Sequence, residues 1–255
     1  MFALALLFTL LASVAVGQVV ARASGQLWGP PRPGLPVDAA AAALGTPQPA
    51  PAGTGGYRFL NLQDDGSGRP ARWDPCRPIH YVIRAEGAPA AGAPAIEAAI
   101  ARIEQLTGLR FSFDGYTTEV PVPARPTLDP VRSGQRWSPV LVAWTDPGEY
   151  RPMAGYAGLG GADPVAGDQP GAVRYVTGVV LLNRQHLARV AHWQGGAARI
   201  RAVALHEFGH LVGLDHVDDP GQLMYDRPTT LAYEFAAGDR RGLAALSGGR
   251  CLRDF

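Results

Sequence analysis

The sequence predicts an α/β (α+β) domain: a mixed twisted sheet with a long helix, a second helix rich in histidine at its end, and a helix that closes the C-terminus. Three observations carry this expectation. Strand-like and helix-like segments alternate from residue 79 to residue 247 without internal repeats, the pattern of one mixed sheet with helices packed on it. The 32 Gly and 23 Pro among 255 residues are too many for a helical bundle and suit a loop-rich mixed fold. Segment 197–211 has helical spacing and carries two of three closely spaced histidines.

Taken in order, Ile79–Arg84 (IHYVIR) reads as a strand. Pro94–Thr107 places Ile96, Ile100, Ile103 and Leu106 at helical intervals, with Pro94 suited to the first turn and Gly108 to the stop. Arg110–Tyr116 alternates around Phe111 and Phe113 and reads as a strand, and 120–136 as a Pro- and Arg-rich loop. Pro139–Thr145 (PVLVAWT) is a continuous apolar run, the signature of a strand buried on both faces. Gly155–Gly161 reads as a loop or an irregular edge strand. Arg174–Asn183 is the strongest strand, followed by helices over 197–211 and 238–247.

The ends behave differently. Residues 2–20 carry no charge, and Ala21-Arg22-Ala23 follows in the small-x-small pattern of a cleavage site. Segment 1–23 therefore reads either as an export signal or as a retained membrane anchor, the apolar run being just long enough to span a bilayer. Both readings place the folded part outside the cytoplasm, secreted or tethered to the cell surface. Residues 24–56 are rich in Pro, Ala and Gly and poor in residues to bury, which predicts a disordered linker and a domain over 57–255. In an exported chain Cys76 and Cys251 are most simply a disulfide. A net charge of +1 argues against a nucleic-acid partner, and two cysteines exclude a four-thiolate metal site. A monomer is expected.

The chemistry lies in His206-Glu207-Phe208-Gly209-His210-Leu211-Val212-Gly213-Leu214-Asp215-His216. On a helix, His206 and His210 project from one face one turn apart, within reach of one zinc at ~2.0–2.1 Å. Glu207 follows by about 100°, beside the metal, where a carboxylate can take a proton from water. His216 would point about 120° off that face if the helix continued. Gly213 allows the chain to turn and bring a third imidazole in, leaving one position open as in catalytic zinc. Chance occurrence of the full pattern in this composition is on the order of 10⁻⁵, far below that of shorter motifs. His80, His186 and His192 lack such context and read as ordinary strand, loop or surface residues.

This segment resembles the extended zinc motif of the metzincin metalloproteases, and Gln222-Leu223-Met224-Tyr225 is similar to the Met-turn of their matrixin branch. The resemblance is sharp over 206–225 and looser over 79–247. It implies a zinc endopeptidase with His206, His210 and His216 as ligands, Glu207 as general base, and Met224 as an apolar floor beneath the histidines. It implies a protein or peptide substrate laid along an edge strand, for which Met153–Leu159 is the candidate, and a side pocket walled by 225–235. Tyr225 and Tyr233 in that wall read as packing residues, with assistance to an oxyanion as the other reading. A matrixin latency cysteine has no counterpart: Pro31-Arg32-Pro33-Gly34 carries Pro33 where a thiol would stand. No upstream His-x-Asp run suggests a second zinc, so one ion is expected. Calcium is common in the branch, and Asp163, Asp168, Asp218 and Asp219 are the loop carboxylates that could take it. The competing functions are a zinc-bound but idle peptide-binding module and a cell-wall peptide amidase.

Overall fold

Hydrophobic periodicity places the elements, and the order of strands places the site. The structure, a computed structural model, describes residues 33–34, 36–167, 169–226 and 232–252. The expected signal or anchor, 1–23, lies outside the described residues; among these, no helix is long and apolar enough to cross a membrane. One five-stranded sheet contains β2 (Ile79–Arg84), β3 (Phe111–Tyr116), β4 (Val140–Thr145), β5 (Gly158–Ala166) and β6 (Val173–Asn183) in the order β3-β2-β4-β6-β5. The first four in that order are parallel, and β5 is antiparallel to β6 at one edge. A separate two-residue pairing joins β1 (Arg58–Phe59) to β7 (Leu214–Asp215).

All six residues of β4 are buried, because the strand is central and covered on both faces. On one face, α1 (Gly92–Thr107) and α4 (Gly196–Val212) enclose the main core: Ile96, Ile100 and Ile103 from α1 meet Leu205, Phe208 and Leu211 from α4 across Val140, Val142, Val180 and Leu182. On the other, Leu141, Ala143 and Leu181 pack with Met153. Gly108, at φ 72°, ends α1 where the sequence places the stop. The C-terminal helix runs Ala237–Leu246 and packs on the same core through Leu243 and Leu246.

Several features differ from the sequence expectation. The edge strand is 158–166 rather than 153–159: Pro152 sits in a 3-10 turn, Arg151–Met153, that buries Met153 against the outer face. Two short helices were not expected, α2 (Pro130–Ser133), capped by the Asp129 carboxylate, and α3 (Arg184–Ala191), capped by the Asn183 side chain. The arm 36–56 has no helix or strand, as its composition dictates, yet it is tied to the domain rather than free. Ala40 and Leu44 donate to the carbonyls of Cys76 and Pro75, Gln48 donates to Gln105, and Gly55 and Gly56 accept from Arg241 and Gln222. Backbone groups thus supply the attachment that apolar side chains could not. Cys76 and Cys251 are joined, and the Asp74 carboxylate accepts from the backbone N–H of both Cys76 and Leu252 beside them.

Candidate metal centre

Helix α4 is capped at both ends by glycine, Gly195 and Gly213. Gly213, at φ 117°, is its C-cap, and a Cβ there would lie 3.0 Å from the Tyr175 ring and 3.1 Å from Leu246. The reversal at Gly213 is what carries Leu214–His216 back across the helix end. The turn is held from outside: Trp73 Nε1 donates to Leu211 O at 2.8 Å, and Leu60 N donates to Gly213 O at 3.0 Å. Helix-end carbonyls that lack an intrahelical partner are thereby satisfied.

The result is a triangle of imidazoles. His206 Nε2 and His210 Nε2 are 3.1 Å apart, and each lies 3.1 or 3.0 Å from His216 Nε2. His206 Nδ1 donates to Leu223 O at 2.7 Å and His210 Nδ1 donates to Leu214 O at 2.8 Å. Those bonds put the ring protons of His206 and His210 on Nδ1 and leave their Nε2 atoms bare, so two lone pairs converge beside His216 Nε2. A cation is the partner such a donor set fits. Ligands ~2.05 Å from a tetrahedral zinc stand about 3.3 Å apart, and the triangle is within a few tenths of that. Burial holds all three histidines neutral at ordinary pH: His206 is pushed down to about 4, His210 well below its usual value, and His216 down as well. Among the described residues these three are the group whose ligand atoms gather tightly enough to hold a metal.

Glu207 points between α4 and β5. It is buried, and burial pushes its carboxyl up to about 8, against a smaller downward pull from the Gly160 backbone N–H. A dication at the triangle works against burial and favours the carboxylate.

The loop after His216 returns beneath the histidines. Val217 N donates to Met224 O, and Met224 is buried with its sulfur against Gly209, where a Cβ would come within 2.7 Å. Asp239, in the first turn of α5 (Ala237–Leu246), fixes this loop: its carboxylate accepts from the backbone N–H of Leu223, Met224 and Ala236. Leu223 is thus held at its N–H by Asp239 while its carbonyl orients His206. The motif does not disclose Asp239 or Gly209; the signal available was an acid in the first turn of a helix, which many helices carry.

Other expected residues are placed elsewhere. Asp218 pairs with Arg58, Asp219 accepts from Gly221 N, and Asp163 lies on β5; Asp168 is outside the described residues. His80 stands between two carboxylates, Asp38 and Asp114, each at 2.7 Å. His186 and His192 lie in and at the end of α3. The Tyr233 ring rests on the Arg199 guanidinium and its carbonyl accepts from Arg201, near the start of α4 and two turns from His206. Tyr225 bridges to Val217. The expected pocket wall, 225–235, is described only at its two ends.

Residues 166–248 match the matrixin family, peptidase family M10. No curated protein matches the chain. Solved structures similar to it include a zinc-dependent peptidase from Methanocorpusculum labreanum, at 22% identity and a TM-score of 0.39, covering 64% of this chain and 98% of that one. Another is high choriolytic enzyme 1, a hatching zinc-protease of the medaka Oryzias latipes, at 14% identity and a TM-score of 0.26, covering 61% of this chain and 50% of that one. The matched segment carries the three histidines, Glu207 and the Met224 loop, and supports a matrixin-like zinc metalloprotease.

Proposed function

We propose that the protein is an extracytoplasmic endopeptidase that hydrolyses peptide bonds of protein substrates, with Glu207 as general base. The observation that supports this most is the place of Glu207: one residue after a ligand, turned from the triangle towards the inner face of an edge strand. Zinc held by His206, His210 and His216 supplies Lewis acidity, polarising a carbonyl and acidifying water. The chain does the rest. Among the described residues β5 is the edge strand of the sheet, so an extended peptide can add to it through main-chain hydrogen bonds, which orient the scissile bond with little choice of sequence. Glu207 takes the proton from the attacking water as the C–O bond forms. It returns that proton to the leaving nitrogen as the C–N bond breaks. Met224 and the Asp239-held loop keep His206 in place throughout.

Export agrees with the apolar run at 2–20 and with the disulfide, which persists in an oxidising compartment. The test is cleavage of fluorogenic casein by the purified protein, with and without a zinc chelator, beside Glu207→Ala. Chelator-sensitive cleavage is expected in the wild type. The variant should lose ~10²–10⁴-fold in kcat while retaining one zinc per chain. A zinc-loaded wild type that cleaves no protein would leave a binding module. One that instead releases peptides from cell-wall material would be an amidase.

A further inference from the structure

We propose that Gly158 and Gly160 are positioning residues for Glu207, a role that rests on the peptidase reading above. Residues 158, 160 and 162 share the face of β5 that looks onto α4, opposite Leu182, Val180 and Gly178 of β6. These three positions carry nothing larger than the methyl of Ala162. The absence is required: a Cβ on Gly158 would stand 2.6 Å from both Cγ and Oε1 of Glu207, and a Cβ on Gly160 would stand 2.2 Å from the Glu207 carbonyl oxygen. Gly161, on the opposite face, has open space around its Cβ position. The two glycines therefore let the edge strand lie directly on the general base. One contact sets two distances. It fixes where Glu207 stands, and it fixes how far the substrate-bearing edge lies from the zinc helix.

The two positions separate these effects. At Gly158 the obstacle is the end of a side chain, so Ala displaces the carboxylate and spares the strand. At Gly160 the obstacle is helix backbone, so Ala moves the strand itself. For Gly158→Ala, steady-state kinetics on a fluorogenic peptide should show kcat lower by ~10-fold or more, KM within about two-fold, and one zinc per chain, since a misplacement of ~1 Å can cost 10²-fold. Gly160→Ala should change KM as well. Coupling gives a second readout: Gly158→Ala should lower the Tm of the wild type but not of Glu207→Ala, which lacks the three atoms nearest the new methyl. An unchanged kcat in a folded, zinc-loaded Gly158→Ala, or an equal Tm shift in both backgrounds, would overturn the proposal. A wild type without chelator-sensitive cleavage would instead overturn the peptidase reading.

Discussion

Burial acts on the three histidines and on Glu207 in one sense, towards the uncharged form, and so gives the metal-free protein two opposed pH dependences. His206 titrates near 6.5 when unfolded and at about 4 when folded, with His210 and His216 displaced in the same direction. Their contribution is present above pH 6.5 and is lost as pH falls towards 4. Glu207 is displaced upwards, from 4.5 to about 8, so its contribution is lost as pH rises through that window. Urea midpoints of chelator-treated protein should therefore fall between pH 6.5 and 8 in the wild type but not in Glu207→Gln. They should fall in Glu207→Gln as pH drops from 6.5 to 4. A second expectation concerns Asp239. Replacing its carboxylate by Asn turns a donor towards backbone N–H groups that it now satisfies, so Asp239→Asn should cost roughly 1–3 kcal/mol of stability. Because Leu223 links that carboxylate to His206, the same variant should bind zinc more weakly, as read by competition with a chromophoric chelator.

At the scale of elements, the end of α4 is the sharpest constraint. Gly213 has φ 117° and no room for a methyl beside Tyr175 and Leu246, so Gly213→Ala should destabilise by more than ~1 kcal/mol and weaken zinc retention, measured by urea titration and metal analysis. This residue was legible in the sequence because the third histidine needed a turn somewhere before it. The helices α1 and α4 and the strands β4 and β6 were legible too, since each buries a face large enough to impose a period on its residues. Strand β5 was not. Its inner face is glycine and alanine, which leave no hydrophobic period to read, and its assignment slipped by five residues onto a turn whose methionine is buried for a different reason. Helix α3 was missed because its burial rests on Leu187 and Val190 alone. The tied arm 36–56 was illegible because its attachment is made by carbonyls and amides, groups that every residue carries.

The whole molecule is closed by long-range ties. The bond from Cys76 to Cys251 spans 175 residues, and its removal should cost ~2–5 kcal/mol. A Cys76→Ser, Cys251→Ser protein should show a lower urea midpoint and faster proteolysis near 40–41 and 250–252, where the arm and the tail meet. Around the metal the ties run the same way. Residues 58–59 pair with 214–215, Trp73 caps α4, and Asp239 holds the loop that steadies His206. The whole histidine triad is complete at residue 216, yet the groups that immobilise it arrive from both far ends of the chain. Order of synthesis then matters. A ribosome that has passed His216 has joined the three histidines and Glu207 to the chain but not Asp239 or Cys251, so the nascent chain carries the candidate site without the groups that hold it rigid. Rigidity waits on Asp239 and Cys251, which follow His216 by 23 and 35 residues, a delay written into connectivity.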